Sequence, residues 1–108
     1  MSAPSGATRL VKVSADDRVV TFFNSGMSRV FLGNSSRMTF VNGYPIPAGA
    51  TLTLPNTRGK RHPRGALTGC RFYALPEVRP ASVAIMVFKR GRKKISECEI
   101  WETRGVNL

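Results

Sequence analysis

One histidine, His62, two cysteines, Cys70 and Cys98, and six acids are all that this 108-residue chain offers to acid–base, nucleophilic or metal chemistry. A general base needs a positioned partner and a pKa near neutrality, and His62 lies between Arg61 and Pro63 in a run of cations that disfavours the imidazolium. It reads as a polar loop residue. Cys70, Cys98 and His62 are too scattered for the short ligand spacings of a zinc site. The cysteines read as small buried hydrophobes of a reducing compartment, not as a disulfide. Asp16 and Asp17 are adjacent and so point to opposite sides of an extended chain, which suits a turn or strand entry better than a shared metal. Neither a P-loop nor a GxGxxG sequence occurs. The expectation is a protein that is not an enzyme and takes no metal and no cofactor.

Charge is the stronger signal. Seventeen Lys and Arg against six Asp and Glu give a formal net charge of +11. Such a balance attracts polyanions: nucleic acid, an anionic membrane or the acidic face of a protein, besides keeping a small domain soluble. The cations gather in two clusters, Arg58, Lys60, Arg61 and Arg64, then Arg90, Arg92, Lys93 and Lys94, which are the candidate partner-binding residues. Single-strand nucleic-acid binders interleave such clusters with stacking aromatics. Here Phe22–Phe23 and Phe72–Tyr73 are adjacent pairs, so at most one of each faces outward, and nucleic acid is the alternative partner.

The elements that must carry these clusters are strands. At 108 residues the chain is one domain. Residues 1–8, MSAPSGAT, read as a flexible arm, and 9–108 as a single β domain. Leu10–Val13 and Val19–Phe23, separated by Ser14–Asp17, suggest a hairpin. Val30–Leu32, Met38–Val41 and Thr51–Leu54 are short extended, largely apolar pieces between turn signals at Gly33–Ser36, Asn42–Gly43 and Ala48–Gly49. Residues 55–68 form a long basic loop with no hydrophobic period. Cys70–Leu75 is a further strand, and Ser82–Phe88, the most continuous apolar run, is the candidate central strand. Lys89–Lys94 with Gly91 suggests the tip of a basic C-terminal hairpin over 82–102, whose last strand is Ile95–Trp101. Glu97, Glu99 and Glu102 would face its cations. Gly, Pro and β-branched residues interrupt every window long enough for a helix. The pattern predicts an all-β fold, a small antiparallel β-sandwich or β-barrel. No run of about 18 apolar residues could span a membrane, and MSAPSGATRL has no signal-peptide core, so a cytoplasmic site of synthesis and no membrane partner are expected.

RVFLGNSS, followed by VNGYPIPAGATLTLP and then by RFYALPEVRPASVAIMVF, resembles a pattern in small virion proteins of tailed bacteriophages. The matching positions are Val30–Gly33, Asn42–Pro47, Gly49–Leu54, Phe72–Leu75 and Val83–Phe88, spread over about two thirds of the chain. The resemblance implies a β-sandwich or barrel that decorates or cements a capsid shell, or joins a head–tail or tail connector, with the major capsid protein or another virion protein as partner and the virion as location. A chain of this size buries a modest share of its surface, so oligomerisation would help its stability, and a homo-oligomer is among the expected partners. The long basic loop at 57–65 and the basic hairpin at 89–102 depart from that pattern, and both are natural docking devices.

Overall fold

The computed structural model describes residues 6–89 and 100–108. Its regular structure is eight strands: β1 (Thr8–Lys12), β2 (Asp17–Asn24), β3 (Val30–Gly33), β4 (Tyr44–Ile46), β5 (Thr51–Pro55), β6 (Arg71–Pro76), β7 (Ser82–Lys89) and β8 (Ile100–Asn107). They form two antiparallel four-stranded sheets, ordered β1-β6-β3-β4 and β5-β2-β7-β8, the two layers of a small β-sandwich. Among the described residues there is no helix, hence none long and apolar enough to cross a membrane.

The two-residue period of the strands builds the core. In β2 Val20 and Phe22 are fully buried, and in β7 Val83, Ile85 and Val87 point the same way. The opposite sheet answers with Leu10, Val30, Leu32, Ile46, Phe72 and Ala74. The Phe22 and Phe72 rings meet across the layers with centroids 5.4 Å apart and planes inclined by 60°. Each such side chain contributes about 1.5–3 kcal/mol relative to leaving it in water. The strand expected to be central, Ser82–Phe88, does lie inside its sheet, between β2 and β8.

Three local expectations differ from the structure. Leu10–Val13 and Val19–Phe23 are not a hairpin: the Ser14–Asp17 turn sends the chain to the other layer, β1 pairs with β6 and β2 with β5 and β7. The cause is that both strands carry apolar residues for the same interior, and facing layers bury more than one exposed ribbon would. Met38–Val41 is not a strand. Met38 instead anchors the β3–β4 loop on the outer face of its sheet, against Phe31 and Leu75, with the Phe31 and Phe40 rings 5.0 Å apart. The loop sits so close that a Cβ on Gly33 or Gly43 would come within 2.8 Å of the Met38 side chain. The last strand continues through Asn107 instead of ending at Trp101, pairing antiparallel with β7 from Lys89↔Ile100 to Ser82↔Asn107, while residues 95–99 of the expected strand lie outside the described residues. The expected tip at Gly91 and the facing positions of Glu97 and Glu99 lie outside the described residues. Of the N-terminal arm, residues 1–5 also lie outside them, whereas Ala7 packs beside Tyr73 on the Phe31 cluster and Thr8 opens β1.

Two buried asparagines hold the ends of the sandwich. Asn24, fully buried, donates to the carbonyls of Ser28 and Ile46, both at 2.8 Å, and accepts from the Gly26 N–H at 2.9 Å. Asn56 does the same at the other end. Its amide donates to the Asp17 carbonyl at 2.8 Å and to Thr68 Oγ1 at 3.2 Å, while its oxygen accepts from the Leu67 N–H at 2.7 Å.

Candidate functional site

The Asn56 end carries the cations. Residues 56–70, expected as a basic loop, form an ordered tongue between β5 and β6. Its tip is a tight reversal in which Gly59 and His62 exchange both backbone hydrogen bonds, at 3.0 and 3.1 Å, leaving Lys60 and Arg61 at the turn. Below the tip the Ala66 N–H donates to the Thr57 carbonyl at 2.8 Å. Gly65 has φ +108°, and a Cβ there would run into the Asn56 carboxamide. That left-handed backbone and the lack of a side chain bring Leu67 within reach of Asn56. Thr68 closes the base by donating from Oγ1 to the Arg64 carbonyl.

The first predicted cluster is therefore brought together: Arg58, Lys60, Arg61 and Arg64 are all exposed on this tongue. Arg58 is fixed against the β1–β2 turn by a 3.0 Å bond from Nη2 to the Ala15 carbonyl. The second cluster, Arg90, Arg92, Lys93 and Lys94, lies outside the described residues.

Sequence reasoning missed four further cations that the fold delivers to the same end, Arg9, Lys12, Arg18 and Arg104, and they are joined there by Lys89 from the start of the second basic run. A depression of about 730 Å³ opens along the edge between the layers, where β1 supplies Arg9 and Lys12, β7 supplies Lys89 and β8 supplies Arg104. A second, of about 620 Å³, shares Lys12 and Ser14 with it and is walled by Arg61, His62 and Arg64 of the tongue. Arg18 and Arg58 flank a third, beside Asp17. The result is one cationic band wrapped around the β1–β2 turn. Arg104 also ties the layers, donating from Nη2 to the Leu10 carbonyl at 2.9 Å. No signal in the sequence joins Arg9 to Arg104, since they meet only through the sandwich.

Among the described residues the acid lining this band, Asp17, is already committed. Asp17 is 4 % exposed; Oδ2 accepts the Ser14 N–H at 2.8 Å and Oδ1 accepts from Lys89 Nζ at 2.8 Å. It fixes the turn, the strand-entry role expected of it, and the pair sits where Asp17↔Lys89 begins the β2–β7 ladder. Its neighbour Asp16 is exposed. Among the described residues, anions approaching the band thus meet guanidinium and ammonium groups beside an Asp17 carboxylate that is already paired. Among the described residues, aromatic side chains do not line these depressions apart from Phe88 in the third.

The opposite end has a different character. Met27, 97 % exposed, and Val78, 58 % exposed, stand on neighbouring turns, linked by the bond from Ser28 Oγ to the Val78 carbonyl. Beside them Arg29 holds Glu77 by two bonds, at 2.6 and 3.2 Å, and lies 5.4 Å over the Phe31 ring. The bonds from Arg29 keep the Glu77 carboxyl below the usual carboxylate range, and the same bonds raise the Arg29 guanidinium. Among the described residues no three His, Cys, Asp or Glu side chains converge on a metal-sized site. Cys70 is a half-buried free thiol against the main core. Compared with known protein families, with curated proteins and with solved structures, the chain finds no match.

Proposed function

We propose that this protein is a non-enzymatic structural component of a tailed-phage virion, a decoration or cement protein that docks on the major capsid shell. The cationic band is the observation that carries the reading, because its groups come from three strands and an internally bonded tongue and so present a pre-organised surface to an acidic partner. The β-sandwich and the sequence pattern shared with small virion proteins support the same assignment. An acidic protein face suits the band better than single-stranded nucleic acid, since Phe22 and Phe72 are consumed in the core and Phe31 and Phe40 pack on the outer face of the other sheet.

Co-sedimentation of the purified protein with undecorated capsids, at low and at high salt, tests the proposal. Binding at low salt that weakens as salt rises is expected. Failure to bind at low salt, together with tight binding to duplex DNA, would replace the capsid reading with a nucleic-acid one. Ring-shaped assemblies in micrographs would favour a head–tail connector.

A further inference from the structure

The cations of this chain are not equally available. Arg29 is held by Glu77, Lys89 by Asp17, Arg58 by the Ala15 carbonyl and Arg104 by the Leu10 carbonyl. Lys12, Arg61 and Arg64 differ: among the described residues their head groups have no hydrogen-bond or ion-pair partner, and all three line the same depression of about 620 Å³. No described carboxylate lines it. Asp16 and Asp17 follow on the same turn, yet the lining stops at Ala15. Residues 90–99, outside the described part, carry four Lys and Arg against two Glu, so their charge is also net positive.

The main chain around the depression is pinned. The Val13 N–H donates to the Cys70 carbonyl at 2.9 Å and the Val13 carbonyl accepts from the Gly69 N–H at 2.8 Å, which ties the end of β1 to the root of the tongue. On the tongue itself the His62 carbonyl accepts from the N–H groups of Gly59 and Gly65, both at 3.0 Å, and so holds the segment bearing Arg61 and Arg64 in a closed turn. The backbone is preset while three charged head groups stay uncommitted. An anionic ligand therefore meets the cations without the chain having to reorganise.

We infer that this depression is the anchor of the cationic band: it seats an acidic segment of a protein partner, whose neighbouring glutamate or aspartate carboxylates pair with Lys12, Arg61 and Arg64. The inference rests on the reading of the band as a surface that docks an acidic protein face. Three unit charges with no acid among them are matched by a run of carboxylates, where a single one would leave two cations uncompensated. The guanidinium forks of Arg61 and Arg64 suit carboxylates, which they can hold through two parallel bonds. Ala15 and Pro63 add an apolar wall against which the methylenes of a glutamate can lie. A single-stranded nucleic acid would bring bases instead, and among the described residues no Phe, Tyr or Trp lines the depression to stack on them.

Titration calorimetry with a hexaglutamate peptide at low salt tests the inference. Binding is expected, and Arg61→Gln/Arg64→Gln should raise the dissociation constant by about tenfold, with Lys12→Gln adding to the loss. Arg37→Gln/Arg79→Gln removes the same charge outside the depression and should raise it by less than about threefold. Polyphosphate, which senses overall charge, should lose affinity equally with either pair. No binding of hexaglutamate, equal losses with the two pairs, or a dependence on Arg61 and Arg64 confined to polyphosphate would overturn the inference. Co-sedimentation of the same variants separates it from the capsid reading. Undecorated capsids that retain Arg61→Gln/Arg64→Gln as tightly as the parent would overturn the anchor and leave that reading standing. Hexaglutamate bound through Arg61 and Arg64 by a protein that capsids do not retain would support the anchor and remove the capsid reading alone.

Discussion

Asn56 does at the residue scale what no local pattern announces. It sits in a run without hydrophobic period, and its partners are Asp17, Ser14, Leu67 and Thr68, the farthest 42 positions away in sequence. By contrast Asn24, followed by Ser25 and Gly26, is legible as a turn because part of its bonding is local. Asn56→Ala leaves the Asp17 carbonyl and the Leu67 N–H without these bonds, so a loss of about 1–3 kcal/mol in urea unfolding is expected. Gly65→Ala should cost a similar amount, since it adds a left-handed alanine to a collision with Asn56. Arg29–Glu77 sets a pH dependence. The folded Glu77 carboxyl titrates below its unfolded value of about 4.3, so its contribution is complete above that pH and is lost as pH falls through the folded value. Tm measured against pH should show Glu77→Gln less stable than the parent at pH 7, with the difference closing under acid conditions.

At the scale of elements, alternation is well read from sequence and partnership is not. Period-2 patterns place Val20, Phe22, Val83, Ile85 and Val87 on one face each, and all are buried. The same patterns are silent on which strand lies beside which, because a turn such as Ser14–Asp17 can close a hairpin or cross between layers. Met38–Val41 misleads for a related reason: its apolar residues cover a sheet from outside instead of joining it. Met38→Ala should therefore behave as a packing mutant, costing about 2–5 kcal/mol, and proteolysis within 34–43 should accelerate as the loop lifts from Phe31 and Leu75. The cationic tongue was legible as charge. Its order was not, since Asn56, Gly65 and Thr68 define it through contacts that only the folded chain supplies.

For the whole molecule the sandwich separates two jobs. One end gathers cations from β1, β7, β8 and the tongue, while the other presents Met27, Val78 and a compensated Arg29–Glu77 pair. Replacing Lys60, Arg61 and Arg64 by Ser should lower the salt dependence of partner binding and leave Tm nearly unchanged, since these exposed side chains hold no part of the core. Binding titrations at several salt concentrations check the slope, and a slope equal to the parent's would remove the tongue from the interface. The order of the strands also governs when this molecule comes into being. Each sheet threads early and late segments together, β1 beside β6 and β2 beside β7, so the β1-β6-β3-β4 layer cannot close until β6 has been made, through Pro76, and the other layer waits for β7 and β8. Folding must wait for these later strands and proceed on the millisecond-to-second scale of high-contact-order β domains, which stopped-flow refolding would measure.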